Sequence, residues 1–153
     1  MTTTYSDESI PLRGYAALAA TFNLLFAAGL ALQDELPERV SVTDVVLVGV
    51  ATHKFSRLLT KDRVTSFLRA PFVRYEGDAG PAEVSETARG EGVQRAIGEL
   101  VVCPYCVGPW VATGFAFGLV SAPRPTRFIA SIGSALTISD GLHLAYSAAV
   151  DRR

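Results

Sequence analysis

Apolar residues form four stretches along the chain, each about as long as a membrane-crossing helix. The first stretch, residues 14–32, contains no charged side chain. A helix of about 20 residues, rising about 1.5 Å per residue, crosses a hydrocarbon core roughly 30 Å thick. We therefore predict an all-α bundle of about four transmembrane helices in one membrane-embedded domain, residues 14–150, after a polar tail, residues 1–13. The predicted spans are residues 14–32, 42–59, 104–122 and 127–149.

The second and third stretches are separated by a polar segment, residues 61–103, that is too charged to cross lipid. Pro71 and Gly77 are among the residues that interrupt it, and they indicate a loop outside the membrane. Near its end, residues 93–102 carry apolar side chains at the spacing of one helical face. This segment is therefore predicted to be a loop that ends in a short surface helix.

Composition supports a membrane location. Hydrophobic residues make up 49% of the 153 residues and charged residues 19%, and the mean hydropathy is +0.29. The second stretch is the weakest of the four, because it contains His53, Lys54 and Arg57. Long basic side chains can extend to the membrane surface, so a short span with a basic inner end remains consistent with this pattern.

A cleaved signal peptide is the alternative interpretation of the first stretch. Gly29 and Ala31 resemble the small residues of a cleavage site. However, the leader contains Asp7 and Glu8 and has only Arg13 as a basic residue, whereas signal peptides begin with a positively charged region. The pattern therefore favours a retained membrane helix.

Basic residues near the ends of the spans predict the orientation. If the N-terminus is inside, the inner segments contain 11 Lys and Arg residues and the outer loops contain three, Arg39, Arg124 and Arg127. Cytoplasmic loops of membrane proteins carry the excess of Lys and Arg. We therefore expect both termini, and the loop and surface helix of residues 61–103, to be cytoplasmic.

Three separated motifs resemble a known bacterial family. They are THKFSRLLTKDRVTSFLRAPFVRYEG from Thr52, GELVVCPYCVGPW from Gly98 and SDGLHLAY from Ser139. In this order they resemble the family of unknown function DUF1360, over about residues 42–148. The resemblance implies a small membrane protein of uncharacterised molecular activity, with sporulation proteins among its relatives. Together with the predicted spans, it leads us to expect a multi-pass protein of the bacterial cytoplasmic membrane, non-enzymatic, with an envelope or sporulation role. It identifies no catalytic residue.

Two cysteines, Cys103 and Cys106, have the spacing of a dithiol redox centre. A helix N-terminus lowers the pKa of a thiol, and a second thiol three positions further on can resolve a mixed disulfide. The segment lacks the preceding strand that a soluble glutaredoxin requires. A membrane thiol-disulfide oxidoreductase using this pair is therefore an alternative function.

The only two histidines suggest a third function, a zinc-binding membrane module. His53 and His143 each lie six residues inside the inner end of a predicted span, and the cysteine pair lies at the inner end of the third span. Four such side chains can form a tetrahedral zinc site. Asp140 would then orient the His143 ring by accepting a hydrogen bond from the ring nitrogen that does not bind zinc. The simpler alternative is a hydrogen-bonded Asp140 and His143 pair that fixes helix packing. The predicted ligands are His53, Cys103, Cys106 and His143.

The lipid bilayer is the main expected partner. The loop alternates apolar and basic residues, which suits contact with anionic headgroups. The alternative is that these side chains fold back onto the bundle. No nucleic-acid-binding module is recognisable, so no nucleic acid partner is expected. The apolar residues are Phe67, Leu68, Phe72, Val73 and Tyr75, and the interleaved basic residues are Arg69 and Arg74.

Overall fold

The structure is a computed structural model that describes residues 10–33 and 35–152. Residues 1–9 of the predicted polar tail lie outside the described residues. The described residues form six α-helices, a 3-10 turn and two strands. In chain order these are α1 (Leu12–Ala31), α2 (Val42–Thr60), the 3-10 turn (Arg63–Thr65), α3 (Ser66–Arg69), β1 (Val73–Gly80), β2 (Glu83–Ala88), α4 (Gly92–Val101), α5 (Pro104–Ser121) and α6 (Pro123–Val150).

Four of the helices, α1, α2, α5 and α6, occupy the four predicted stretches, and α4 is the predicted surface helix. The largest difference is at the start of α6, which begins at Pro123 rather than at residue 127. Proline suits the first position of a helix, because its N–H group would have no partner there in any case. Residues 123–126, which lie between the third and fourth predicted spans, therefore form the first turn of α6.

Two of the described helices, α1 and α6, are long and apolar enough to cross a membrane, and α4 with α5 makes a third if this bent pair is one span. The axes of α4 and α5 meet at 79°. Helix α2 is not among them, because Asp44, Lys54 and Arg57 interrupt its apolar sequence. The predicted number of four spans is thus not confirmed.

Helix α1 runs parallel to α5. Near the start of α1, the Tyr15 hydroxyl donates a hydrogen bond to Glu99 in α4, just before the bend into α5. Just beyond the end of α1, Ser121 Oγ donates to Gln33 Oε1 at 3.2 Å. A single residue, Ala122, separates α5 from α6, so α6 turns back along α5.

Helices α2 and α6 also run parallel, joined by an ion pair near each end. Arg127 donates to both carboxylate oxygens of Asp44 at 2.8 Å, and Lys54 Nζ lies 2.9 Å from Asp140 Oδ2. The long helices therefore alternate in direction along the chain. The start of α1, the end of α6 and the segment between α2 and α4 lie at one end of the bundle, here called the head end.

Small residues and backbone acceptors make the contact between α2 and α6. At Gly133 a β-carbon would lie 2.7 Å from the Phe55 ring and 3.4 Å from the Cα of Ala51, so only glycine lets these helices approach so closely. One residue further on, Ser134 Oγ donates to the Leu47 carbonyl at 3.0 Å. Close backbone approach with hydroxyl bonds between helices is typical of membrane bundles.

The loop predicted between α2 and α4 contains a two-stranded antiparallel sheet, β1 paired with β2. Val73 and Val84 face inward and are 5% and 2% exposed. The register shifts on both sides of the Gly77 to Asp78 pairings, and the tight turn contains Ala82 at a φ of 62°. These irregularities break the alternation of polar and apolar residues that identifies a strand. The fold is therefore mostly helical, as expected, with one small sheet that the all-α prediction missed.

A buried arginine holds this segment together. Arg69 is 1% exposed, and its Nε lies 2.6 Å from Glu86 Oε2 in β2. Its two terminal nitrogens donate to the carbonyl of Leu59 at 2.8 Å, to Thr65 Oγ1 at 2.7 Å and to the carbonyl of Asp62 at 3.1 Å. One guanidinium thus joins the end of α2, the 3-10 turn and the hairpin. We call residues 61–91 the head.

Replacing Arg69 by methionine should strongly destabilise the head. The substitution keeps most of the side-chain volume but leaves Glu86 as a buried, uncompensated charge, which costs about 3 to 5 kcal/mol. Chemical unfolding of the detergent-solubilised protein measures this loss. The matched control is Arg63→Met, which breaks the exposed pair with Asp78 and should change stability little. Equal effects of the two substitutions would contradict a central role for Arg69.

Candidate functional site

The two cysteines lie at the bend between α4 and α5. Cys103 has extended backbone angles, φ −109° and ψ 106°, as expected for a residue before proline, and Pro104 begins α5. The Cys103 sulfur accepts a hydrogen bond from the backbone N–H of Cys106 at 3.2 Å, and both thiols are free. Capping a helix thus accounts for the spacing of the pair. The thiol-disulfide exchange role stays a prediction from the motif alone.

The four predicted zinc ligands are not brought together as a metal site. Among the described residues, no group of three or more His, Cys, Asp or Glu side chains is arranged to hold a metal ion. His53 lies instead in the wall of a cavity, beside Pro104 and Tyr105 at the start of α5. The zinc site expected from the sequence is therefore not assembled in this structure. Its expected ligands were His53, Cys103, Cys106 and His143.

Asp140 makes a different contact from the one predicted. From the sequence we expect a contact with His143, which is one helical turn away on α6. In the structure the Asp140 carboxylate instead binds Lys54 Nζ on α2 at 2.9 Å. The Lys54 side chain is 17% exposed and that of Asp140 is 53% exposed. Because α2 and α6 are parallel, Lys54 lies level with Asp140. The polar pair that joins helices is thus an ion pair between α2 and α6, which the sequence spacing could not reveal.

A cavity of about 310 Å³ opens between α2 and α5 near the head end. Besides His53, its α2 wall includes Thr52, Ser56 and Arg57, and its α5 wall includes Tyr105 and Gly108. Because Gly108 has no side chain, the two helices leave space between them at this level. The cavity lies where the sequence suggested a site, but most of its wall residues were not predicted.

Two hydroxyl groups in the α2 wall have no hydrogen-bond partner among the described residues. These are Thr52 Oγ1 and Ser56 Oγ, both buried, and Ser56 as a whole is 3% exposed. One turn further along, Thr60 Oγ1 makes the ordinary helical bond to the Ser56 carbonyl at 2.7 Å. The spacing of residues 52 and 56 puts both on one face of α2. The sequence shows this spacing, but it does not show that the two hydroxyls lack hydrogen-bond partners.

Arg57 links the cavity to the head. Its Nη2 lies 2.6 Å from both carboxylate oxygens of Glu83, and its Nε lies 3.0 Å from Oε1. Glu83 begins β2, so this pair ties the hairpin to the last turns of α2. The sequence pattern alone indicates only that Arg57 belongs to the basic inner end of a span.

The apolar residues of the head divide between the two expected locations. Phe67, Leu68 and Tyr75 are 71%, 53% and 59% exposed, whereas Val73 is buried. Arg69, predicted as one of the basic residues facing headgroups, is buried as well. Contact of the exposed side chains with lipid headgroups stays a prediction, whereas Val73 and Arg69 are buried within the fold.

On the hairpin surface, Asp78 is bound by Tyr75 and Arg63. The Tyr75 hydroxyl donates to Asp78 Oδ1 at 2.7 Å, and Arg63 Nη2 lies 2.5 Å from the same atom. These hydrogen bonds, that from Tyr75 first, hold the pKa of Asp78 below its ordinary value. The bond to Asp78 raises the pKa of Tyr75. All three groups are exposed, so they order the hairpin surface without forming a buried site.

The family assignment made from the three motifs is confirmed by comparison with known families. The sequence pattern described as protein of unknown function (DUF1360) matches residues 47–146. The chain belongs to the DUF1360 family. The match runs from the middle of α2 through the head and α5 into α6, so it includes the cavity between α2 and α5. Helix α1 lies outside it.

Two Bacillus subtilis (strain 168) proteins are similar to this DUF1360 chain. Sporulation protein YjcA is 38% identical over 71 residues, which are 44% of this chain and 60% of YjcA. UPF0713 protein YngL is 25% identical over 107 residues, which are 66% of this chain and 78% of YngL. No solved structure matches the chain.

The Lys54 and Asp140 ion pair of this DUF1360 protein should contribute a measurable coupling energy. Lys54→Met, Asp140→Asn and the double variant form a cycle whose interaction energy we expect to be about 0.6 kcal/mol and at most about 1.7 kcal/mol, the range for polar contacts between membrane helices. Unfolding in mixed micelles measures it. The control cycle pairs Lys54→Met with Asp151→Asn at the end of α6. Additive effects in both cycles would show that the pair does not stabilise the bundle.

Proposed function

We propose that the protein is a non-enzymatic, multi-pass protein of the bacterial cytoplasmic membrane, in which α1, α2, α5 and α6 cross the bilayer. One observation carries this proposal: the bundle exposes its large apolar side chains and buries small ones. Leu24, Phe128 and Leu142 are 71%, 69% and 66% exposed, whereas Ala51 and Ala130 are fully buried.

This arrangement is unfavourable in water and favourable in lipid. Each Å² of apolar surface left in water forgoes roughly 25 cal/mol of stabilisation. Large exposed apolar surfaces therefore mark contact with a partner or a membrane. Lipid removes the cost on the outside, and small residues then provide close packing on the inside. Few residues of the two long apolar helices, α1 and α6, are buried within the chain.

The charges of α2 are compatible with a membrane location because each has a partner. Asp44 binds Arg127, Lys54 binds Asp140, and Arg57 binds Glu83 of the head. Charged residues within membrane segments characteristically pair with one another. Helix α2 also packs between α5 and α6, which shields much of its length from lipid.

The head end is proposed to face the cytoplasm. The head and the two helices that enter and leave it carry eight of the 14 basic residues, and the opposite end carries three. On the head, Phe67 and Leu68 are exposed near Lys61 and Arg63, a combination that suits contact with anionic headgroups.

The proposed role is to hold the head at the cytoplasmic surface, in envelope or sporulation physiology. Arg69 and Arg57 fix the head to α2 through buried or bidentate bonds, so the bundle presents a defined surface rather than a loose loop. The name of the relative YjcA, sporulation protein, supports the sporulation link.

Extraction tests the membrane assignment. The protein should remain in the membrane pellet after alkaline carbonate treatment and enter the soluble fraction only with detergent, because several apolar helices are embedded in lipid. A peripheral membrane protein analysed in parallel provides the control for complete stripping. Release of the chain by carbonate alone would contradict the proposal.

Cysteine labelling tests the orientation. In a chain whose two native cysteines are replaced by serine, Glu38→Cys lies in the loop after α1 and Ser85→Cys in the exposed part of β2. A membrane-impermeant maleimide should label residue 38 in intact cells and residue 85 only after permeabilisation. The reverse pattern would mean that the head faces outward.

A further inference from the structure

The cavity between α2 and α5 has the properties of a ligand site. Its volume of about 310 Å³ is at the lower end of the range for small-molecule sites, about 300 to 1,000 Å³. In its wall, the hydroxyls of Thr52 and Ser56 are buried without a partner among the described residues. Leaving buried hydroxyls unpaired is unfavourable, so they point to a ligand that would complete their hydrogen bonds.

The groups around these hydroxyls are hydrogen-bond donors with positive character. Glu83 occupies the Nε and Nη2 donors of Arg57, and within the described residues Nη1 makes no further hydrogen bond. Tyr105 is the second residue of α5; Pro104 before it has no N–H, and the N–H groups of Cys106 and Val107 bond to Cys103. The start of α5 therefore offers the Tyr105 N–H, with the partial positive charge of a helix N-terminus. Arg57, the first residues of α5, and the two hydroxyl residues Thr52 and Ser56 therefore line the same cavity.

We propose that this cavity binds a phosphate group. Phosphate oxygens accept hydrogen bonds, and so match hydroxyl, guanidinium and backbone N–H donors. Thr52, Ser56 and the Nη1 of Arg57 donate to the bound oxygens, and the start of α5 adds partial positive charge. His53 lies in the same wall and can donate one further hydrogen bond.

The phosphate group has two sources that share this chemistry, the headgroup of an anionic phospholipid and free phosphate. The cavity lies near the head end of α2, the level at which the proposed span would reach the headgroups. The lipid source therefore rests on the proposed membrane function, whereas binding of free phosphate does not. The two sources are separated by testing each alone.

The decisive variant is the double substitution Thr52→Val and Ser56→Ala, made in the full chain. For free phosphate, the thermal unfolding of protein in neutral detergent is followed during titration with sodium phosphate, with sodium chloride at matched ionic strength as reference. For lipid, native mass spectrometry counts the phosphatidylglycerol retained by protein taken from nanodiscs of phosphatidylcholine and phosphatidylglycerol. The wild-type chain should bind at least one of the two probes, and the double variant should bind it at least about tenfold more weakly.

Stability without ligand separates a binding role from a structural one. If the hydroxyls serve a ligand, removing them relieves two unpaired buried groups, and the double variant should melt at or above the wild-type temperature. The matched control is Ser131→Ala, which removes a hydroxyl bonded to the Arg127 carbonyl on α6 and should leave binding unchanged. A double variant that melts well below the wild type would overturn the proposal, because its hydroxyls would have a structural role.

A second variant blocks the cavity without removing the hydroxyls. Gly108→Met extends a side chain from α5 toward Ser56, whose Oγ lies 3.9 Å from the position of a β-carbon at residue 108. It should abolish binding, whereas Gly141→Met, in open space on α6, should not. Binding of phosphate alone identifies a free phosphate site, and retention of phosphatidylglycerol alone identifies a lipid site. Binding of neither probe by the wild type, or equal binding by wild type and the double variant, would reject the proposal.

Discussion

The guanidinium of Arg69 is the point on which the arrangement of the head depends. It binds Glu86 of the hairpin and also the Leu59 carbonyl in the last turn of α2, so it joins sheet and helix without an extended apolar core. The hairpin then places Glu83 against Arg57, which fixes the guanidinium in the cavity wall. A buried charge with several hydrogen bonds thus substitutes for the hydrophobic core that a segment of this size cannot build.

The bundle is organised by a different constraint. Many large apolar side chains are directed outward, so close backbone contact, hydroxyl bonds and paired charges hold the helices together alongside a few ring contacts. Between α2 and α6, Gly133 allows the close backbone contact and Ser134 makes the hydroxyl bond. Lys54 and Asp140 form the charged pair. Between α2 and α5 the packing is looser around Gly108, and the cavity forms there. Tight contact on one side of α2 and open space on the other give this helix both a structural and a binding face.

Much of the helical architecture was predictable from the sequence, because apolar length alone marks where long helices can run. The family assignment was also predictable, because three motifs occurred in order. The hairpin was not, since its register shifts and its glycines conceal the alternation of a strand. Nor was the site: the burial of Arg69 and the missing partners of Thr52 and Ser56 depend on which helices are neighbours. Matched depth predicted that both histidines approach the cysteines, and His53 does share a cavity wall with Pro104 and Tyr105. Depth does not determine the direction of a side chain, so it could not predict which groups meet.

The 79° bend at Cys103 has a mechanical consequence for α1. One arm of the bend, α4, meets α1 at Gly14, where a β-carbon would lie 2.6 Å from that of Ala96. The other arm, α5, meets α1 through an edge-to-face ring contact, with Phe22 and Trp110 centroids 5.1 Å apart. The two arms act as a bracket that resists both sliding of α1 along its axis and tilting away from the bundle. A helix that lies outside the family region is in this way locked to the family's own architecture.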